Sequence, residues 1–515
     1  MASLMQSGFG LRNPHRQARR RALILAPRKA SVETPEEEQK RKRDRKKIIS
    51  FDEIRLRLQR LKALDKIRLH HLFDDEEIHR MCDTLHLDFR DRVFTPAITL
   101  GLFVSQVLSR ADACTTVMAK FNRERKNRGL SPVSEDASAY TKARARLPVG
   151  LINHLSTQVR MMADNMMSDE WKWNELNVYL VDGFVLRAPD TSANQKKYPQ
   201  PSRLKEGLGF PQVRVVTTTS LASGCVVHHN TAPVEGKKTG EVSLFREKHK
   251  DFKKGDIIVA DSNLESFHDA ALLIRRGVHM VCAINGSRNS PFEGSCETID
   301  DQIVEVQKPK FNPSRFTRKE WNALPKRVLY RMIRYRVAGR ETPLTVVTTL
   351  TDRQRFTAEE IAELYGWRWD VELDIRSYKS SMGMCELRCL TPENLDREIA
   401  VAVLGYNLVR VLMCDTAAVL EAHPREISFS SARDAWLAFH DERETTDDIA
   451  WMIHSTASHF VRNRPGRNEP RAIKRRQAKY PKLKEPRPSH RCRKKHKNNP
   501  PTTPCLLYTS DAADE

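Results

Sequence analysis

The chain has 515 residues, is 30% charged and carries a net charge of +22, so it can bury a large core and hold roughly two to four domains. Its basicity sits in two tails: residues 1–50 carry 14 Lys/Arg against 5 Asp/Glu and residues 461–504 carry 16 against 2, which leaves a nearly neutral body. Such tails attract polyanions, nucleic acid foremost. The ten cysteines include no C-x2-C pair, the nearest being Cys385 and Cys389, which argues against a zinc site and for reduced thiols. No apolar run approaches the roughly twenty residues of a membrane span, and the Arg-rich start has no signal-peptide core beyond Ala22–Ala26. A cytoplasmic, nucleoid-associated protein without a membrane partner is expected.

Residues 1–50, ending in the run Lys40 to Lys47, read as a disordered basic tail. Residues 51–165 read as a helical domain: Ile54, Leu58, Leu61 and Leu64 fall at helical spacing, and Pro96–Leu108 is a second apolar segment. From Asn177 the period changes. Val178–Val181 is a short run of β-formers ended by Asp182-Gly183, and the chain resumes as Phe184-Val185-Leu186. Gln212–Thr219 and Cys225–His229 read as strands, Thr239–Lys250 as a helix, Asp256–Ala260 as a buried strand ending on Asp261, Leu264–Arg276 as a helix stopped by Gly277, and Val278–Ile284 as a fifth strand. Between them, two aspartates stand at predicted strand ends. Either is equally a turn former with a local backbone hydrogen bond. Asp190 is a competing aspartate, set aside in favour of Asp182 because it sits several residues beyond the first strand in a Pro-containing loop.

The strand-like runs Ile303–Val306, Val328–Val337 and Leu344–Leu350 alternate with Arg331, Arg334 and Arg336. Then comes Thr357 to Lys379. Thr357 and Glu360 form a capping box, Phe356 and Ile361 a hydrophobic staple, and no proline follows, which predicts a helix of about six turns. At ~100° per residue, Leu364, Trp367, Val371, Ile375 and Tyr378 make an apolar stripe. Tyr365, Arg368, Glu372, Arg376 and Lys379 share the neighbouring face. On spacing alone that face is the solvated side of an amphipathic helix.

The spacing Tyr365-x2-Arg368-x3-Glu372-x6-Lys379 resembles the signature of the bacterial insertion-sequence-four family of DDE transposases, whose catalytic core is ribonuclease-H-like. The resemblance covers roughly residues 75–415. It implies an α/β fold: a core at 170–285 and 346–420, interrupted by a β-rich insertion at 286–345. The helical N-terminal DNA-binding domain precedes it at 51–165, and a helical segment at 421–460 and a basic tail at 461–504 follow. Phe94-Thr95-Pro96 and Tyr140 to Pro148 resemble the family's N-terminal region, where Arg144 and Arg146 would meet phosphate. Tyr198 to Pro211 is family-like too, with Lys196, Lys197 and Lys205 as phosphate contacts. The family motif D-G-T here reads Asp182-Gly183-Phe184, without the hydroxyl. Trp321 is the nearest substitute for the insertion's base-flipping aromatic, although a tryptophan in a β segment is more often core. Residues 505–515 resemble the in-frame translation of a sequencing-library adapter.

By this resemblance Asp182, Asp261 and Glu372 are the catalytic, metal-binding acids, and Tyr365, Arg368 and Lys379 hold DNA phosphates. The cofactor implied is a pair of Mg²⁺ ions, with Mn²⁺ as a substitute. Hard oxygen ligands suit such ions, and an ion pair roughly 3.5–4 Å apart serves both the attacking and the leaving oxygen of a phosphodiester. The activity implied is cut-and-paste transposition through a DNA hairpin. Its partners would be double-stranded DNA, as the element's terminal inverted repeats and as target, and a second copy of the chain in a homodimer. The alternative is an inactive, transposase-derived DNA-binding protein.

Overall fold

The computed structural model describes residues 50–461 apart from 64–74, 88–91, 111, 285–289, 312–315, 338–339, 341 and 440–444. Both basic tails and the adapter-like end lie outside the described residues, Ser50 and Val461 excepted. The N-terminal part is helical: α1 (Phe51–Ala63), α2 (Asp75–Thr84), α3 (Pro96–Leu108), α4 (Cys114–Asn127), α5 (Ser138–Arg146) and α6 (Val149–Met166). The start of α3 is set by sequence, with the Thr95 side chain accepting from the Ile98 N–H and proline in the first turn.

A mixed α/β layer follows, in the order β1 (Val178–Arg187), α7 (Ser192–Lys197), β2 (Gln212–Ser220), β3 (Val226–Pro233), α8 (Glu241–Arg246), β4 (Ile257–Ala260), α9 (Phe267–Arg275) and β5 (His279–Ala283). Then come β6 (Asp300–Gln307), α10 (Arg318–Asn322), β7 (Arg327–Tyr335) and β8 (Leu344–Thr348). All eight strands form one sheet in the order β3-β2-β1-β4-β5-β8-β7-β6. β2 is antiparallel to β1 and β3, whereas β4 and β5 run parallel to β1. β4 is buried along its whole length, as parallel strands covered on both faces are. The segment expected as an insertion supplies β6 and β7, which extend this same sheet through β8 rather than standing apart from it.

One face of the sheet packs Val181, Phe245, Phe252, Phe267, Trp321 and their neighbours. The other packs Val178, Leu180, Val259 and Val281 against Ile361, Leu364 and Val371. These last residues lie on α11 (Ala358–Gly366) and α12 (Trp369–Arg376). The staple residues Phe356 and Ile361 are both buried there, and the capping box of Thr357 and Glu360 is formed on both sides.

Three further helices close the chain: α13 (Pro392–Leu420), α14 (Phe429–Phe439) and α15 (Thr446–Ala457). α13, capped by Thr391 with proline at its start, is 29 residues long. It is the only described helix long and apolar enough to cross a membrane, and its apolar window is 100% buried. Leu404, Leu408 and Val411 on it share a core with Phe103 and Val107 of α3 and with Leu151 and Leu155 of α6. The described cysteines form no disulfide.

Two expectations change. The strand predicted to end at Val181 runs unbroken to Arg187, because Gly183 and Phe184 stay paired with Val216 and Val215 of β2. What ends at Leu180 is the pairing with β4. The single helix predicted from Thr357 to Lys379 is two helices and a π-turn at Ser377–Ser381. At the break, the Trp367 N–H is shared between the carbonyls of Glu363 and Leu364, and those of Arg368, Asp370 and Val371 reach back three residues instead of four, which tightens the turn between α11 and α12.

Candidate active site

β1 and β4 pair in register from Val178 with Ile257 to Leu180 with Val259. Two residues further along each strand stand Asp182 and Asp261. They are therefore level, at the point where the strands part. Asp182 accepts the Gly183 N–H at 2.8 Å. Burial raises its pKa to about 6; the Gly183 N–H and the Arg368 charge pull it down, and the charges of Asp261 and Glu241 push it further up. Asp261 caps the short 3-10 turn Ser262–Leu264, accepting from the Asn263 N–H and from Asn263 Nδ2, both at 2.9 Å.

Glu372 projects from α12. Arg368, one turn earlier, donates to its Oε1 at 3.3 Å. The guanidinium of Arg368 thus faces Glu372 directly and acts on Asp182 through its charge, which joins the third acid to the first. Tyr365 is 8% exposed, so it is buried and not on an open polar face. Its hydroxyl pKa is raised by burial, against the pull of Arg368, whose guanidinium lies 6.0 Å from the ring centre. Lys379 sits in the π-turn after α12.

The donor chemistry suits a hard divalent cation, since Asp182, Asp261 and Glu372 offer only carboxylate oxygens. Among the described residues, however, no three acidic, His or Cys side chains close to metal-holding distance. Asp261 is turned onto Asn263 and Glu372 onto Arg368.

Asp190, the competing aspartate, accepts from Gln195 Nε2 at 2.7 Å, within its loop. Arg144 is no surface phosphate contact: it donates to Gln106 Oε1 at 3.0 Å and stacks 3.7 Å over the Phe103 ring, while Arg146 is exposed. Lys197 pairs with Asp396 at 2.7 Å; Lys196 and Lys205 are exposed. Trp321 is a core residue, buried against His268. Phe184 of the altered motif packs on Tyr378 at 5.4 Å between ring centres.

Sequence reasoning missed two groups. Glu241, the first residue of α8, lies over Gly183: a Cβ built there would fall 2.6 Å from its Cγ, Cδ and Oε1. Arg214 holds the same carboxylate at 3.6 Å. The second group pins α12 from behind. Asp374 accepts from Arg410 of α13, and from Arg425 Nη1 at 3.2 Å and Nη2 at 3.1 Å. Arg425 also donates to the carbonyls of Leu221 and Ser220, so one buried carboxylate ties α12 to α13 and to the end of β2. A signal existed: on the helical wheel Asp374 falls at about 180°, beside the apolar stripe, and Arg410 interrupts the apolar run Val403–Val411.

The stretch that builds this geometry has known relatives. Residues 173–408 match the model of the transposase DDE domain family. The chain is 27% identical over 300 residues to the transposase InsG for insertion sequence element IS4 of Escherichia coli (strain K12). That match covers 57% of this chain and 65% of the relative, just under two thirds of its length. A solved synaptic complex of the piggyBac transposase with hairpin DNA aligns at a TM-score of 0.37 and 10% identity, over 73% of this chain and 82% of that one.

Proposed function

We propose that this chain, whose residues 173–408 match the transposase DDE domain, is a DDE transposase of the insertion-sequence-four family that cuts and rejoins DNA, moving a bacterial insertion sequence by metal-dependent hydrolysis and strand transfer. The observation that carries the reading is the level placement of Asp182 and Asp261 at the parting of β1 and β4, inside the matched segment. The strand order β3-β2-β1-β4-β5, with only β2 antiparallel to β1 among its neighbours, supports a ribonuclease-H-like core.

Asp182, Asp261 and Glu372 would hold the divalent ions, Mg²⁺ or Mn²⁺. Bound there, the ions supply stabilisation of the attacking and departing oxygens. The chain's own part is positional. β1 and β4 present two carboxylates side by side, and α12 brings the third. Arg368 neutralises charge between Asp182 and Glu372 and, with Tyr365 and Lys379, holds phosphates of the strand being cut. Positioning of this kind supplies much of a phosphoryl-transfer rate. The substrates are the element's inverted repeats and target DNA, bound by a homodimer in the cytoplasm, with a DNA hairpin as the intermediate.

The test is cleavage of the DNA flanking this gene with Mg²⁺, comparing the wild-type sequence with Glu372→Ala, both lacking residues 505–515. Metal-dependent nicks at inverted-repeat ends, absent in the variant, are expected. Binding without cleavage by either protein would replace this reading with that of a DNA-binding descendant.

A further inference from the structure

Behind the sheet face that carries Phe245 and Phe252 lies a groove of about 1310 Å³, walled by α8, the loop 248–254 and α9. Its lining includes Lys238, Lys250, Lys253, Lys254, Arg275 and Arg276, all exposed. Only two carboxylates share it, and both are engaged: Asp251 lies 3.9 Å from Lys248 and Glu247 accepts from Asn230 at 3.0 Å. Lys238, Lys250, Lys254 and Arg275 take no carboxylate partner among the described residues. Cations gathered without counter-charges repel one another, so the arrangement favours a polyanion over an empty groove.

The walls are built rather than loose. Arg276 Nη2 donates to the Lys250 carbonyl at 2.6 Å and to the Phe252 carbonyl at 3.4 Å, fastening the loop to the end of α9. Gly255 donates to the Gly277 carbonyl at 2.8 Å. Gly277, at φ +72°, has no Cβ to obstruct the stem of Lys254, whose Cγ would lie 2.7 Å from one. The stem crosses that gap, and Lys254 is exposed. His249 in the lining is kept neutral by burial, with its pKa lowered to about 4, so the groove's charge comes from Lys and Arg alone.

The groove also has a direction. Lys238 lies three residues before Glu241, which covers Gly183 next to Asp182; Lys253 and Lys254 precede β4, at whose far end Asp261 stands level with Asp182. β4 spans ~13 Å at about 3.3 Å per residue, which corresponds to roughly four base-pair steps measured along a DNA helix axis.

We propose that this groove holds the sugar-phosphate backbone of duplex DNA running away from the cleaved end. The assignment rests on the reading of the chain as a DNA-cutting enzyme, and it adds a binding track on the far side of the sheet from α11 and α12.

The experiment uses the full chain and its Lys250→Gln/Lys254→Gln/Arg275→Gln variant, which changes only exposed side chains. Each is titrated by gel shift with inverted-repeat ends carrying either a few or about twenty base pairs of flanking duplex, across a salt series. The wild type should bind the long-flank DNA about tenfold more tightly than the short. The variant should lose that advantage, and its salt slope on long-flank DNA should fall by about three, at ~0.9 for each phosphate no longer neutralised, with short-flank binding kept. An undiminished preference for the long flank in the variant would overturn the assignment. So would equal weakening on both substrates, which would place these cations on the end itself, or a wild type indifferent to flank length. Absence of cleavage would sink the enzymatic reading separately, since the flank dependence is read by binding.

Discussion

Gly183 lies directly under Glu241, so close that the smallest side chain at 183 would meet the Glu241 stem at 2.6 Å. A strand residue next to a candidate catalytic aspartate thus has no side chain because a fourth carboxylate occupies the space. That carboxylate is held from the other side by Arg214.

Gly183→Ala should therefore fold, because the Glu241 side chain is flexible and can swing aside, but its carboxylate leaves Asp182. Removing that like charge lowers the pKa of Asp182, and so does Glu241→Gln. The acid limb of the cleavage rate against pH should move down in both variants. A limb unmoved in Glu241→Gln would mean that Glu241 does not act on Asp182.

Asp182 holds its proton up to about pH 6, against an ordinary value of 3.8. In metal-free protein its contribution to stability is complete below about pH 4 and is lost as pH rises through 6. A divalent ion needs the ionised form, so the gain in melting temperature on adding Mg²⁺ should be small at pH 5 and large at pH 8. Scanning calorimetry at both values checks this. An equal Mg²⁺ gain in Asp182→Asn would remove Asp182 from the ion's ligands.

Arg368→Gln takes away the cation facing both Glu372 and Asp182. The pKa of Asp182 should rise further, and cleavage at neutral pH should fall by about 10²-fold through misplaced groups. Binding of inverted-repeat ends, followed in parallel, should fall far less. If cleavage and binding dropped together, Arg368 would be a binding residue only.

Asp374→Ala leaves Arg410 and Arg425 buried without their shared carboxylate. Breaking such a buried pair from one side costs about 3–5 kcal/mol. Urea unfolding should show that loss, and Asp374→Asn, which keeps part of the hydrogen bonding, a smaller one. A change within experimental error would mean that water or other groups satisfy both arginines.

The strands and the face carrying Arg368 and Glu372 were legible because each rests on a local period and on caps within a few residues. Thr357 and Glu360 announce their helix, and Ile257–Ala260 announces a two-sided strand. The break after Gly366 was not legible, since no proline or cap marks a turn that tightens by one residue. Asp182 was found through the apolar run before it, yet its strand continues because β2 holds it, and the two pair through residues about thirty apart in the chain. Glu241 and Arg144 show the limit more sharply. Their surroundings come from Gly183 and Phe103, neighbours that no spacing connects to them.

The long helix α13 sets the order in which the molecule can be completed. Arg397 donates to the Leu147 carbonyl 250 residues earlier, and Asn407 Nδ2 to Ser156 Oγ across 251. Contacts of such sequence separation form late, because a large loop must close before they return any energy. On the ribosome, the apolar sides of α3 and α6 wait uncovered while some two hundred and fifty further residues are made, a stretch in which chaperones or aggregation compete for them. A chain that stops short of α13 therefore keeps its sheet but leaves α3 and α6 without the helix their shared core is built around.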